Sequence, residues 1–303
     1  MKSPGLMLNV VLVAGLAAPA ADPAYRAEIE KWRADREARL KAEGGWLSVA
    51  GLFWLEEGEN RFGSGPGNAI VLPAGAAPAA AGAFELRSKK VTVRVEPGVT
   101  VTAGGKPVTT MELRADDPGP PDVLALGRLS LQVIVRGGKY GIRMKDPESA
   151  ARREFAGLRW FPVREDMRVT GRFVAWSGPH TIAIPNVLGQ VNDLPSPGYV
   201  EFTLAGKPLR LEPVIEGPGD TELFFIFRDP TAGRETYPAG RFLYAPMPKE
   251  GRIVLDFNKA YSPPCAFTAY ATCPLPPPQN RLSVAIEAGE KDPHKHPDSP
   301  STP

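Results

Sequence analysis

Short runs of alternating apolar and polar residues, each closed by glycine or proline, recur from residue 46 to residue 287 and leave room for little besides antiparallel sheet. Val91, Val93 and Val95 alternate into the turn Pro97-Gly98, and Leu129, Leu131, Val133 and Val135 alternate into Gly137-Gly138. Tyr140, Ile142 and Met144 then return, which predicts a β-hairpin. Beyond a charged connector at residues 146–154, eight further runs follow, at residues 168–175, 180–184, 199–204, 209–215, 222–227, 241–244, 252–257 and 282–287. With 31 glycines and 34 prolines in 303 residues, punctuation this dense predicts a mainly all-β chain. The expected order is a β-sandwich over residues 46–147, then an antiparallel barrel-like domain over residues 155–291; a second sandwich would leave the same trace.

Two segments stand outside this pattern at the front. Residues 1–20 carry Lys2, an apolar run over residues 6–16 and small residues at Ala18 and Ala20, the composition of a signal peptide. Export to the periplasm or exterior is therefore expected, with no membrane span left after cleavage. Residues 21–45 then read as a helix, with Asp22 as N-cap, Pro23 at the first turn, and Tyr25, Ile29 and Trp32 on one face. Residues 292–303 are polar and proline-rich and read as a disordered tail.

The chemistry gathers in residues 252–291. A loop of about twenty residues, long for an ordinary connection, joins the last two predicted strands. It holds Cys265 and Cys273, and polar residues crowd it: Asp256, Asn258, Tyr261, Asn280 and Glu290 among them. Pairing of the strands at 241–244 and 252–257 would bring Arg241 beside Asp256 or Asn258. Such a cluster either braces the loop or binds a ligand through Arg241, Asp256, Asn258, Tyr261, Asn280 and Glu290. Asn258→Ala is expected to melt close to the wild type, as loss of a ligand contact would allow; a large drop would mean a brace.

Cys265 and Cys273 are expected to form a disulfide under oxidising conditions. A redox role lacks C-x-x-C, and a metal lacks ligands, since His294 and His296 fall in the tail. His180 is the one histidine within the fold, and no G-x-S-x-G elbow accompanies it. No cofactor is expected. A net charge of +2 without a long basic run argues against nucleic acid.

Residues 252–291 also resemble a bacterial and archaeal family described only as domain of unknown function 1684. Asp256-Phe257-Asn258, Pro263-Pro264-Cys265, Thr272-Cys273-Pro274-Leu275-Pro276-Pro277, Asn280-Arg281-Leu282 and Ala288-Gly289-Glu290-Lys291 carry the resemblance. Upstream, the segment from Phe227 to Gly233 and Gly51-Leu52-Phe53-Trp54-Leu55 look like the same family. The resemblance implies no activity. The segment from Asn60 to Pro73 is similar to the opening of forkhead-associated β-sandwiches, but their phosphate-reading Ser-x-x-His is missing, so phosphothreonine binding is rejected. The residues thus leave three functions open: binding of a small ligand, hydrolysis with Asp256 and Glu290 as acid and base, or a structural or protein-interaction role in the cell envelope.

Overall fold

A computed structural model describes residues 22–295; the predicted signal segment lies outside them. The helix Pro23–Lys41 begins as its sequence dictates. Asp22 Oδ1 accepts the N–H groups of Ala24 and Tyr25 at 2.7 and 3.2 Å, and Pro23 needs no acceptor. Its buried face is Tyr25, Ile29, Arg36 and Leu40, with Trp32 half-buried beside it.

Two sheets over residues 49–145 make the expected sandwich. The six-stranded sheet runs in the order Val49–Trp54, Lys139–Lys145, Leu129–Arg136, Val123–Leu126, Thr102–Ala103, Lys106–Pro107. The five-stranded sheet runs Ile70–Val71, Gly58–Gly63, Gly82–Arg87, Lys90–Val95, Thr110–Leu113. Phe62, Phe84, Val93, Leu124, Leu131 and Ile142 from the two inner faces form one core. Between Leu129–Arg136 and Lys139–Lys145 the two-residue turn has Gly137 and Gly138 at φ +54° and +76°. Both angles lie in the left-handed region, which glycine enters freely and which matches the strand twist.

The second half is also built of antiparallel sheet, but it does not close into the expected barrel. A four-stranded sheet has the order Lys207–Leu211, Gly198–Leu204, Arg168–Ala175, Arg252–Asp256. Two hairpins stand apart from it, Thr181–Pro185 with Val191–Pro195 and Glu222–Phe227 with Arg241–Pro246. Arg252–Asp256 ladders only onto Arg168–Ala175 and then turns into a short 3-10 helix at Phe257–Lys259, capped by Asp256. Nor do residues 282–287 form the last strand. The Ile286 N–H is taken by Asp229 Oδ1 at 3.1 Å, and the Ile286 carbonyl by Arg241 at 2.8 Å. Side chains thus occupy the groups a neighbouring strand would need. Leu282 and Ile286 are buried all the same, in a core with Phe225, Phe227, Leu255 and Phe257.

The helix packs against this second half. Tyr25 donates to Asp256 at 2.8 Å, Arg36 Nη2 to the Ser262 carbonyl at 2.9 Å, and Lys259 Nζ pairs with Glu28 at 2.6 Å. Of the predicted tail, residues 292–295 are described. Asp292 is buried, with its N–H on the Glu235 carbonyl at 2.9 Å. Residues 296–303 lie outside the description.

Candidate functional site

The residues that the sequence gathers into one site separate in space into several buried locks. Arg241 is not opposite Asp256 or Asn258, because its strand pairs with Glu222–Phe227 and places it across from Phe227. Fully buried, it forms an ion pair with Asp229 at 2.8 Å and donates to the carbonyls of Ile286 and Ala288. Asn258 accepts the Arg164 N–H at 2.9 Å and donates to the Arg164 carbonyl at 2.7 Å and to Tyr25 Oη at 3.0 Å. Asn280 does the same elsewhere: it accepts the Glu212 N–H at 2.8 Å and donates to the carbonyls of Glu212 and Ile226. All of these amides are consumed in joining backbone segments, and none is left for a ligand.

Glu290 differs from the others. It is wholly buried, and Arg36 Nε approaches its carboxylate at 3.5 Å without a hydrogen bond closing on either oxygen. Burial pushes its carboxyl up to about 7, against the opposing pull of Arg36 and Ser262. Cys265 and Cys273 are free thiols rather than the expected disulfide. The Cys273 sulfur accepts the Cys265 N–H at 3.2 Å. The interaction of the two thiols themselves holds Cys265 below its ordinary range and, together with burial, pushes Cys273 up, while the backbone contact opposes the rise of Cys273.

Two of the predicted ligand residues reach open space, Tyr261 and Asp256. Tyr261 lines a cavity of about 460 Å³ where the two halves of the chain meet. One wall is aromatic: Phe224 stacks on Tyr244 with centroids 4.7 Å apart, and Phe242 meets Phe224 and Tyr261 edge to face at 4.9 and 5.8 Å. Trp46 and Arg136 come from the first half, Ile184, Asn192 and Leu194 from the hairpin, and Thr272 and Cys273 from the proline loop. Glu216 receives the Tyr244 hydroxyl, and burial raises its carboxyl above the usual range. Desolvation likewise pushes both Tyr244 and Tyr261 up, keeping the phenols neutral.

On the other side of Arg36, Tyr244 and Tyr261 lies a second cavity of about 640 Å³, which Asp256 lines together with Glu28, Lys259 and Arg168. Glu290 lines neither cavity. His180 is exposed and packs on Trp176, 4.3 Å between centroids, away from both. Among the described residues no cluster of three or more metal-ligating side chains occurs, and no helix is long and apolar enough to cross a membrane.

Sequence reasoning missed most of the cavity. Trp46, Arg136, Glu216, Phe224 and Tyr244 are scattered through the chain with no motif to join them. The available signal was the strand Glu222–Phe227, whose continuous apolar run marks a strand covered on both faces.

Comparison with known proteins gives a family and no activity. Residues 153–291 match the family model described as "Protein of unknown function (DUF1684)". A solution NMR structure of the uncharacterized protein from gene locus rrnAC0354 of Haloarcula marismortui is 31% identical, with 48% of this chain and 81% of that one covered and a TM-score of 0.41. A forkhead-associated (FHA) domain studied for phosphothreonine-dependent interactions is 18% identical over 31% of this chain and 92% of its own, at a TM-score of 0.22. The FhaA FHA domain complexed with the intracellular domain of Rv3910 has the same identity and TM-score and is 97% covered. At these TM-scores the likeness carries no argument, and the sandwich rests on its own strand pairing. No curated protein matches the chain.

Proposed function

We propose, for a chain whose residues 153–291 belong to the DUF1684 family, that it binds a small molecule with an apolar, planar body in the cavity between its two halves. The observation that carries this reading is the aromatic wall of Phe224, Phe242, Tyr244 and Tyr261 facing a space of about 460 Å³. Ligand sites are typically concave, mostly apolar, and sited between packed units, with a few polar groups to orient the guest. Glu216, Asn192 and Thr272 supply those groups. Hydrolysis by Asp256 and Glu290 has less support, because Glu290 is sealed from both cavities while Asp256 is engaged by Tyr25 and Asn258.

The test is a plug. Asn192 is exposed at the rim, so Asn192→Trp fills the mouth of the cavity while shifting stability by no more than about 0.5 kcal/mol. A fragment panel screened by ligand-observed NMR should give aromatic hits on the wild type that disappear in the plugged variant. Hits that persist in it would place binding elsewhere.

Export belongs to the same reading: the apolar run at residues 6–16 followed by Ala18-Pro19-Ala20 directs the chain out of the cytosol. N-terminal sequencing of the mature protein should begin near Ala21 or Asp22. Met1 retained on a cytosolic protein would refute it.

A further inference from the structure

The helix Pro23–Lys41 lays one stripe against the second half of the chain, and that stripe contains a charge. Tyr25, Ile29, Arg36 and Leu40 recur at helical spacing on its buried face. A guanidinium in such a place is costly unless its hydrogen bonds are completed. Arg36 is 8% exposed, and among the described residues Nη2 alone of its nitrogens closes a hydrogen bond, to the Ser262 carbonyl at 2.9 Å. Nε is buried and makes none. The guanidinium carbon lies 4.5 Å from the Tyr261 ring centroid and 5.7 Å from that of Phe267.

Arg36 lines the cavity of about 460 Å³, and so does a second cation, Arg136. The two are engaged to different degrees. Arg136 gives Nε to Thr272 Oγ1 at 2.9 Å and its terminal nitrogens to the two oxygens of Asp116 at 2.9 and 2.8 Å. Its donors and its charge are both met. The acid beside Arg36 is Glu290, 3.5 Å from Nε, with neither oxygen hydrogen-bonded. With its carboxyl at about 7, Glu290 is charged in only about half of the molecules at neutral pH. Glu216 is the one acid among the lining residues; it accepts the Tyr244 hydroxyl, and burial raises its carboxyl. Arg143, 5.3 Å from the Trp46 ring centroid, adds positive charge from outside the lining. The cavity wall thus carries a cation, Arg36, that the protein neutralises only in part.

We propose that the guest of this cavity is a monocarboxylate on an apolar body, that Arg36 holds its charged end, and that Glu290 takes up a proton from solvent as the guest binds. The inference rests on the binding reading of the cavity and adds the charge of the guest and its link to pH. An N–H of arginine makes a charge-assisted hydrogen bond to a carboxylate, while Phe224, Phe242 and Tyr244 accept the body. One incompletely neutralised cation suits a single negative charge, and Glu216 opposes a second. Arg36 then serves two carboxylates with one charge. A bound anion disfavours a second negative charge nearby, so the proton returns to Glu290. Acting on Glu290 are Arg36 of the helix, Arg241 of its strand, which is committed to Asp229, and Tyr261 and Ser262 of the loop. Of these, Arg36 is the cation that also reaches the cavity. The neighbouring cavity of about 640 Å³, which Arg36 lines too, sets Glu28, Glu222 and Asp256 among its cations, and these repel an anion.

The test is calorimetric titration of the intact protein with phenylacetate and octanoate, each against its own primary amide. At about pH 6 the acids should bind about tenfold or more tightly than the amides, the discrimination expected of hydrogen bonds to a charged group. Between about pH 6 and about pH 8.5 acid affinity should fall roughly five- to tenfold, as Glu290 ionises and reclaims Arg36, while amide affinity stays level. Arg36→Gln should lose the preference for acids, and Arg36→Lys, which keeps the charge, should retain part of it. Glu290→Gln, a measurement that does not depend on folding of the Arg36 variants, should keep the preference and hold it level across the same pH range. Acid binding should vanish in Asn192→Trp, since Asn192 lines this cavity and not its neighbour. An acid preference that survives Arg36→Gln or Asn192→Trp, or a pH slope unchanged in Glu290→Gln, would overturn the assignment. Equal affinity for acids and amides, lost to the plug, would overturn it too and leave the cavity as a binding site. Absence of binding by every acid and amide would overturn the binding reading as well.

Discussion

Arg241 and Asp229 meet at 2.8 Å, each side chain only 1% exposed, and between them they close the C-terminal segment onto the fold. Asp229 Oδ1 accepts from Thr231 N, Thr231 Oγ1 and Ile286 N, while Oδ2 takes Arg241. Arg241 in turn holds the carbonyls of Ile286 and Ala288. Desolvation draws the guanidinium down, and the Asp229 charge opposes that. Such a pair is worth little against an apolar replacement of both members, yet breaking it from one side strands a buried charge.

Arg241→Met alone should therefore destabilise the protein by about 3–5 kcal/mol in urea unfolding. The double change Arg241→Met with Asp229→Leu should recover part of that loss. A single variant within 1 kcal/mol of wild type, as an order of magnitude, would show that the pair is not the clasp described.

Asn258→Ala should not melt near the wild type. Its amide satisfies both the N–H and the carbonyl of Arg164, and truncation leaves those part-buried groups unpaired at a cost of about 1–3 kcal/mol in all. A clear fall in Tm is expected by calorimetry. A variant as stable as wild type would return Asn258 to the list of ligand contacts.

Glu290 makes stability depend on pH in a defined sense. Its folded-state value of about 7 lies above the ordinary 4.5, because burial disfavours the charged form. The neutral acid is what the fold prefers, so this contribution is complete below about pH 4.5 and is lost as pH rises through about 7. The loss is on the order of 3 kcal/mol. Arg36 from the helix, Arg241 from its strand and Tyr261 from the loop are the charged or titratable groups acting on the same site. Urea midpoints measured from pH 4.5 to pH 8.5 should fall with rising pH in the wild type and flatten in Glu290→Gln. An unchanged slope in that variant would assign the effect to other groups.

The free thiols should pair when oxidised. Cys273 Sγ already touches the Cys265 backbone, and the loop that a bond would close is short. Treatment with oxidised glutathione should yield an intramolecular disulfide by mass spectrometry and stabilise the protein by about 2.5 kcal/mol on the loop-entropy model. Mixed disulfides with glutathione in place of the internal bond would mean the sulfurs cannot meet.

Local chemistry was legible where it is local. Asp22-Pro23 specifies the helix start, and Gly137-Gly138 the hairpin, because both signals act through the residues' own dihedrals and side chains. The strand expected at residues 282–287 was not excluded by anything nearby. Its alternation is real and its apolar residues are buried, but Asp229 and Arg241, far back in sequence, occupy its backbone. The candidate site failed for a related reason. Arg241, Asn258 and Asn280 are concentrated and polar, as a site would be, and their bonds go to distant main chain instead. Of the predicted residues, Tyr261 lines the aromatic cavity and Asp256 the one beside it. Arg136 lay hidden because a strand pattern gives no sign of whether an outward residue meets water or the other half of the molecule.

The helix Pro23–Lys41 has a further consequence, in the order of assembly. Tyr25 finds Asp256 across 231 residues, and Arg36 finds the Ser262 carbonyl across 226. On a ribosome the helix therefore emerges well ahead of these two partners. Ile29 meets Val163 and Trp32 meets Trp160 earlier, so Tyr25 and Arg36 are the groups that wait, and their loop-closure cost is met only when residues 256–262 have been made. The helix is thus made long before these partners, and a nascent chain stopped before Asp256 presents Tyr25 and Arg36 without them to whatever chaperone is near.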